Sequence, residues 1–103
     1  MPGLEFAGFE WDQSKSARCL RERGFDFDYA ARVFFAAFSE REARRGPYDE
    51  MRFLVIGEVG DVVIAVVWTQ RGNLRRIISA RPASRAERKQ FYEYREAQQQ
   101  GHS

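Results

Sequence analysis

The segment from Val62 to Trp68 is apolar at every position, reading Val-Val-Ile-Ala-Val-Val-Trp. A strand with one face in water alternates apolar and polar residues, whereas an unbroken apolar run is typical of a strand that is covered on both faces. A strand of that kind lies in the interior of a sheet. The run therefore predicts that a strand from Asp61 to Arg71 occupies the centre of a β-sheet.

Two further β segments lie next to this strand in the sequence, separated from it by short glycine turns. Met51 to Glu58 precedes it, with Val59-Gly60 as the turn, and Leu74 to Arg81 follows it after Gly72-Asn73. Glycine and asparagine adopt the left-handed conformations that two-residue hairpin turns require. The three segments are therefore predicted to form an antiparallel meander.

Helix-capping residues predict two helices before the meander. Asp12 can cap a helix from Ser14 to Arg23, which ends at Gly24. Asp26 can cap a second helix from Phe27 to Phe38, whose apolar stripe is predicted to pack in the core.

The remaining segments complete an α+β arrangement. Phe6 to Trp11 is predicted to be a short edge strand, and the charged segment from Ser39 to Asp49 is predicted to be a loop. Ser84 and Glu87 match a capping box for a C-terminal helix that runs through about Ala97. The predicted fold is a small antiparallel β-sheet with helices packed against it: two N-terminal helices, a three-stranded meander and a C-terminal helix.

One domain is expected over residues 1–97, followed by a flexible polar tail over residues 98–103. With 103 residues, of which 44% are hydrophobic and 15% aromatic, the chain has enough apolar material for one small core. No apolar run approaches the ~20 residues of a membrane span, and the amino terminus lacks the pattern of a signal peptide. A cytoplasmic location is the expectation, without contact with a membrane.

Basic residues concentrate in the C-terminal part of the chain. From Trp68 onward there are eight basic residues against three acidic ones, a net charge of +5, whereas the preceding part has a net charge of −3. Several of these arginines lie between apolar residues on the predicted strand from Leu74 to Arg81. Because a guanidinium group matches a phosphate with two parallel hydrogen bonds, this strand indicates a surface that binds a polyanion such as nucleic acid.

The register of the meander determines which polar side chains share a face. If both turns are two-residue loops, Glu50, Thr69 and Arg76 align across the three strands, and Arg52 lies opposite Val67. One polar corner then comprises Glu50, Arg52, Thr69, Arg71 and Arg76, while the other face carries Arg75, Ser79 and Arg81. A one-residue bulge at either turn would change this assignment.

The polar corner contains the groups that RNA cleavage requires. RNA carries its own nucleophile, the 2′-hydroxyl, so a protein needs only a charge clamp for the phosphate and a group that accepts the 2′ proton. The arginines can form the clamp, and Glu50 can be the base. No metal or other cofactor is expected, because the single Cys19 and the single His102 cannot build a Cys/His cluster. The alternative is that these arginines and glutamates are ion pairs at a sheet edge.

Two other groups of side chains could contact nucleic acid. Lys15, Arg18 and Arg21 recur at helical spacing and could contact a backbone phosphate, although a solvated helix face is the favoured alternative. Trp11 and Trp68 could stack on an unpaired base, but packing in the core is favoured for them.

A set of short motifs resembles the BrnT family of toxins. The motifs are Phe9-Glu10-Trp11-Asp12 with Lys15, Gly24 before Phe27, Glu50-Met51-Arg52-Phe53, and Arg76-Ile77-Ile78-Ser79-Ala80-Arg81 with Ala83, Glu87, Arg88 and Tyr92. The resemblance implies a metal-independent endoribonuclease with a RelE-like fold, which belongs to a type II toxin–antitoxin system and arrests translation. It also implies a BrnA-like antitoxin with a ribbon-helix-helix domain, through which the complex would bind operator DNA.

The resemblance also implies which side chains form the site. Lys15, Glu50, Arg52, Arg76 and Arg81 match the family's motif, and Arg71 falls where the family often has an arginine. Glu50, Arg52, Arg76 and Arg81 would be the catalytic residues, while Lys15, Arg71 and Arg23, the last at a position that departs from the motif, would bind RNA. Arg52, Arg76 and Arg81 would hold the scissile phosphate, while Glu50 would orient an arginine or take the 2′ proton.

One position departs from the family pattern. The family usually has Lys-His-Gly at the end of the first helix, where this chain has Glu22, Arg23 and Gly24. Arginine stays charged at neutral pH and is a poor proton shuttle, so this chain lacks a histidine that could donate a proton there. The alternative function is a non-catalytic domain that binds an antitoxin or nucleic acid and acts in transcriptional autoregulation.

Overall fold

The structure, a computed structural model, describes residues 6–44 and 46–100. In this part of the chain, five strands form one sheet: β1 (Gly8–Trp11), β2 (Phe38–Glu42), β3 (Arg52–Val59), β4 (Val62–Arg71) and β5 (Leu74–Pro82). Their order across the sheet is β1-β5-β4-β3-β2. The apolar run therefore occupies the central strand, as predicted.

The predicted meander is confirmed, since β3 pairs with β4 and β4 with β5, both antiparallel. The sheet around it is larger and mixed, because β1 adds to β5 in parallel and β2 adds to β3 in antiparallel orientation. The prediction of a purely antiparallel sheet was therefore wrong. A parallel neighbour far away in sequence leaves no local turn signal by which it could be predicted.

Helices cover the two faces of the sheet, and β4 contributes to both cores. On the face covered by α1 (Gln13–Arg23) and α2 (Phe27–Ala30), here called the α1 face, the core includes Phe27, Val33, Val55, Ile64, Val66, Trp68 and Ile77. On the face covered by α3 (Arg85–Gln100), the α3 face, the core consists of Leu54, Ile56, Val63, Ala65, Ala83 and Phe91. Successive β4 residues alternate between the two cores, which explains why the strand has no polar residue in this region.

Local capping determines where α1 begins and ends, as the sequence predicted. The Asp12 carboxylate accepts hydrogen bonds from the backbone N–H groups of Ser14 and Lys15, at 2.8 and 3.1 Å. At the other end, Gly24 has a left-handed φ of 89°, and its N–H donates to the carbonyl of Leu20. Each cap depends on residues that lie within a few positions of one another: the Asp12 side chain at the start of α1 and the left-handed Gly24 at its end.

The second predicted helix, from Phe27 to Phe38, was wrong in length. α2 is a single turn that is followed by a 3₁₀ helix over Ala31–Phe35, and the chain becomes extended at Ala36. The 3₁₀ helix packs closely on β3 at Gly57. A Cβ atom at this position would lie only 2.5 Å from a Val33 methyl group, so the contact requires glycine. Pairing of Phe38 with Gly57 then draws the chain into the sheet and ends the helix.

The predicted loop from Ser39 to Asp49 was also wrong in part, since its first residues belong to β2. Glu40, Arg41 and Glu42 are charged, which obscured the strand in the sequence. Charged side chains are nevertheless suited to an edge strand, where they discourage pairing with other chains.

A bulge in β5 changes the predicted faces of the sheet. Trp68 pairs with Ile77 but Val67 pairs with Ser79, so Ile78 is an extra residue in β5. Beyond this point, every β5 side chain points to the opposite face from the one that an uninterrupted register would give. The bulge lies inside the strand, not at a turn.

The first turn of the meander also differs by one position from the prediction. Val59 pairs with Val62, so the turn residues are Gly60 and Asp61, with Gly60 at a left-handed φ of 60°. Arg52 therefore lies opposite Thr69, not opposite Val67.

The C-terminal helix begins with the predicted capping box. The backbone N–H of Ser84 donates to Glu87 Oε1 at 2.8 Å, and the N–H of Glu87 donates to Ser84 Oγ at 3.1 Å. α3 continues to Gln100, three residues beyond the predicted end at Ala97. Within the described residues, no helix combines the length and the apolar character needed to cross a membrane.

Candidate functional site

A group of arginines lies on the α3 face of the sheet. Arg52, Thr69 and Arg76 are directly opposite one another on β3, β4 and β5. Arg71 lies two residues after Thr69 and hence on the same face. We call Arg52, Arg71, Arg76 and Arg81 the arginine face.

Arg81 joins this face because of the β5 bulge. It lies opposite Ala65, whose side chain is in the core of the α3 face. The prediction that Arg75, Ser79 and Arg81 share the other face was therefore wrong for Ser79 and Arg81, since Ser79 lies opposite Val67 on the α3 face. The extra residue at Ile78 places Arg76 and Arg81 on one face.

Arg75 remains on the α1 face and has a structural environment. Its guanidinium carbon lies 4.4 Å from the ring centre of Phe6, 4.2 Å from that of Phe34 and 5.0 Å from that of Trp68. Burial lowers the pKa of Arg75, and its buried Nε has no hydrogen-bond partner. Cation–π contacts on this scale hold an arginine inside an aromatic core and leave it little access to a ligand.

The two tryptophans also pack in the core, as the sequence analysis favoured. Trp68 is 3% exposed, and its Nε1 donates to Glu40 at 3.3 Å. Trp11 contacts the buried ring of Phe27 edge to face. Trp68 in particular leaves no ring face on which an RNA base could stack.

Each member of the arginine face is paired with a glutamate. The pairs are Arg76 Nη1 with Glu10 Oε2 at 2.8 Å, Arg52 Nε with Glu50 Oε2 at 2.9 Å, Arg71 Nη2 with Glu50 Oε1 at 3.7 Å, and Arg81 with both oxygens of Glu87 at 2.7 and 2.9 Å. The carboxylates hold the guanidinium groups in defined positions. They also occupy hydrogen-bonding sites that a phosphate would use.

Glu50 lies between two arginines and orients both of them. Its two oxygens face Arg52 and Arg71, and its side chain is 22% exposed. Beside it, the hydroxyl of the buried Thr69 donates to the carbonyl of Met51 at 2.6 Å, which holds the start of β3 against β4. This geometry suits the orienting role that the resemblance implied for Glu50.

Two residues of this region were missed by the sequence analysis. Glu10 pairs with Arg76 from the neighbouring strand β1, and its position between Phe9 and Trp11 was the available signal, because a polar residue there must face away from both aromatic rings. Gly46 lies against the guanidinium of Arg52, where a Cβ atom would clash with the guanidinium atoms. No local sequence pattern predicts such a contact.

Arg81 and Glu87 join the end of β5 to the first turn of α3. Hydrogen bonds from Arg81 lower the pKa of Glu87 to about 2, and the same hydrogen bonding raises the pKa of Arg81. Both terminal nitrogens of Arg81 are engaged by Glu87. Arg81 therefore lies on the arginine face, but Glu87 already occupies its two terminal nitrogens.

The remaining predicted residues, Lys15 and Arg23, lie in a separate pocket between α1 and β5. This α1–β5 pocket has a volume of about 230 Å³ and is lined by Lys15, Arg18, Cys19, Glu22, Arg23, Phe27, Ile78, Ser79 and Ala80. The Cys19 thiol donates to the carbonyl of Ala80 at 3.4 Å, and burial raises the pKa of this thiol. Ser79 lies between the two regions, because it lines the pocket and faces the same side of the sheet as Arg76.

The structure therefore brings Glu50, Arg52, Arg71 and Arg76 together, while Arg81 lies nearer α3 and Lys15 and Arg23 lie around the edge of β5. Within residues 6–44 and 46–100, no three His, Cys, Asp or Glu side chains converge in a group that could hold a metal ion. The charged groups at the two regions are arginine, lysine and glutamate side chains.

Comparison with known proteins identifies the family. The model of the family described as the ribonuclease toxin BrnT of type II toxin–antitoxin systems matches residues 11–87, about three quarters of the chain. No curated protein matches the chain. The matched segment extends from the end of β1 to the first turn of α3 and includes the arginine face and the α1–β5 pocket. The chain therefore belongs to the BrnT family of ribonuclease toxins of type II toxin–antitoxin systems.

Proposed function

We propose that this protein is a metal-independent endoribonuclease toxin that cleaves cellular RNA and thereby inhibits translation. The observation that carries the proposal is the placement of Arg52 and Arg76 on either side of Thr69. Two strand spacings separate them by about 10 Å, so two long side chains can reach one phosphate from opposite sides. Membership of a ribonuclease toxin family supports RNA as the polyanion.

The proposed reaction uses the nucleophile that RNA supplies. The 2′-oxygen attacks the adjacent phosphorus while the bond to the 5′-oxygen of the next nucleotide breaks, which leaves a 2′,3′-cyclic phosphate and a 5′-hydroxyl. Arg52 and Arg76 stabilise the negative charge that grows on the phosphate oxygens in the transition state. Glu50 takes the 2′ proton. Water protonates the leaving oxygen, because Arg23 replaces the histidine that could donate a proton at this position.

The other basic residues extend the RNA-binding surface in this proposal. Arg71 is 53% exposed and is held only loosely by Glu50, so it can turn towards a phosphate next to the scissile one. Lys15 and Arg23 contact the RNA backbone at the edge of β5. Arg81 can hold a phosphate only if Glu87 releases it.

An antitoxin partner follows from the family. We propose a BrnA-like antitoxin with a ribbon-helix-helix domain, through which the complex binds operator DNA. An acidic or amphipathic segment of this partner would cover the arginine face and exclude RNA by charge and bulk.

The proposed activity is tested with the purified protein and a labelled single-stranded RNA in the presence of EDTA. Cleavage with a cyclic phosphate end is expected, and a 2′-deoxy substitution at the cleaved nucleotide should abolish it, because the nucleophile is then absent. Cleavage that requires an added divalent metal, or that persists at the 2′-deoxy position, would contradict the proposed reaction.

A second function is favoured by the pairing of the arginines and by Arg23. Since every member of the arginine face already has a carboxylate partner, the face could be a structural platform for an antitoxin in transcriptional autoregulation. Operator binding by the complex, with no RNA cleavage by the purified toxin, would support this function over the first.

A further inference from the structure

We infer that the α1–β5 pocket is a phosphate site that holds a backbone phosphate of the RNA adjacent to the one on the arginine face. The identity of the ligand as RNA rests on the proposed function, whereas the existence of an anion site rests on the pocket itself. Arg18 is the residue that this inference adds, since neither the resemblance nor the proposed reaction gives it a role.

The first observation is the excess of positive charge in the pocket. Lys15, Arg18 and Arg23 face a cavity that contains only one carboxylate, that of Glu22. Among the described residues, none of these three cations forms an ion pair or a side-chain hydrogen bond, although Glu22 follows Arg18 by four positions. Like charges that share a small cleft repel one another, and a bound anion relieves that repulsion.

The second observation is the floor of the pocket. Cys19 and Phe27 are buried at 7% and 2% exposure, so the cations surround an apolar base. Charged groups around a low-dielectric floor attract an anion more strongly than the same groups would on an open helix surface. This feature distinguishes the pocket from the solvated helix face that the sequence alone favoured.

The third observation is the unpaired edge of β5. β1 pairs with β5 only as far as Ile77, and beyond that residue α1 lies beside the strand. The carbonyl of Ala80 points towards α1, because it accepts the Cys19 thiol. The N–H of a strand residue points to the same edge as its carbonyl, so the Ala80 amide is a donor directed at the pocket.

Size and position indicate a backbone phosphate. A volume of about 230 Å³ lies below the range of pockets that enclose a drug-sized ligand, so a phosphate with part of its sugar fits and an enclosed nucleotide does not. Ser79 connects the pocket with the row formed by Arg76 and Arg81. An RNA strand that crosses the edge of β5 can therefore place one phosphate on the arginine face and the next in the pocket.

The test compares two arginines of the same helix. Arg18 and Arg21 are both exposed on α1, and replacement of either by alanine removes one positive charge, but only Arg18 lines the pocket. Binding of a 2′-O-methyl oligonucleotide, which cannot be cleaved, is measured by fluorescence anisotropy at several salt concentrations. The logarithm of the association constant decreases linearly with the logarithm of the salt concentration. The steepness of this line should decrease by about 0.7 in Arg18→Ala and stay unchanged in Arg21→Ala.

Each result has a defined meaning. Equal slopes for the two variants, or no binding of the oligonucleotide by the wild-type protein, would overturn the inference. Binding of poly-glutamate with the same dependence on Arg18 and with higher affinity than RNA would also overturn it. If Arg18 matters for binding but unmodified RNA is not cleaved, the phosphate site stands and the proposed catalysis fails.

A second measurement reports on the pocket without RNA. Titration with inorganic phosphate should shift the backbone amide resonance of Ala80 in the wild-type protein and in Arg21→Ala, but not in Arg18→Ala. An unshifted Ala80 resonance in the wild-type protein would contradict the inferred donor.

Discussion

The arginine face and the α1–β5 pocket both include residues of β5, but their positive charges have different surroundings. On the face, each guanidinium is held by a glutamate at 2.7 to 3.7 Å. In the pocket, the three cations have no such partner among the described residues. Pairing orients a side chain for catalysis at the cost of competition with the substrate, whereas unpaired cations are suited to the capture of a phosphate.

The largest effect is expected for Arg76→Ala. Loss of one preorganised donor to the developing negative charge typically lowers kcat by about 10²–10³. Cleavage of labelled RNA is measured beside the Arg21→Ala control, which lies outside both regions, and thermal melting checks the fold. A cleavage rate equal to that of the control would remove Arg76 from the proposed clamp.

Gly46→Ala should lower cleavage by about tenfold through displacement of Arg52, since even a small misplacement of a positioned group slows catalysis. The new Cβ atom would clash with the guanidinium atoms of Arg52, and that flexible side chain can move away without unfolding the protein. Gly8→Ala is the matched control, because its Cβ atom would meet Leu74 at an ordinary 3.8 Å. Equal cleavage rates for the two variants would show that the position of Arg52 is unimportant.

Glu10→Gln should tighten RNA binding, because it removes the carboxylate that competes with phosphate for Arg76. The gain is expected to reach at most about fivefold, since exposed ion pairs contribute up to about 1 kcal/mol. Glu58→Gln is the control, because it removes the same charge from a different ion pair, that of Glu58 with Arg95 of α3. Weaker or unchanged binding in Glu10→Gln, relative to this control, would mean that the carboxylate does not compete.

The smallest effect concerns the Arg81–Glu87 pair, which we expect to stabilise the fold more than it binds RNA. The pKa of Glu87 falls from 4.5 to about 2 in the folded protein, so its contribution is complete above pH 4.5 and is lost as the pH falls towards 2. Because Arg81 is 41% exposed, we expect Glu87→Gln to cost only about 1 kcal/mol at pH 7.

Urea unfolding at pH 7 and pH 3 measures this contribution, with Glu93→Gln on the exposed side of α3 as the control. The difference between Glu87→Gln and wild type should shrink at the lower pH. A difference that stays constant between the two pH values would show that the ionised pair is not its cause.

Features with a local physical cause were predicted from the sequence. The Asp12 cap, the Gly24 stop and the Ser84–Glu87 capping box each depend on residues within a few positions of one another. The central position of β4 follows from its uninterrupted apolar composition, which only a doubly covered strand can bury.

Contacts between distant segments could not be predicted in the same way. The charged strand β2 exists because its backbone pairs with β3, and β1 is held by parallel pairing with β5 across more than sixty residues of sequence. The partnership of Glu10 with Arg76 depends on that second pairing. Nothing in the neighbouring residues of either strand specifies its partner.

The candidate site likewise has features that follow from the sequence and others that depend on contacts between distant segments. The amino-acid sequence by itself determined the meander, the arginines and glutamates that it carries, and the resemblance that indicated a toxin family. Only the tertiary structure decided which of these side chains meet, because strand side chains alternate with a period of two and one extra residue reverses their direction. That residue is Ile78, and it places Arg76 and Arg81 on one face while the edge of β5 opens towards the cations of α1.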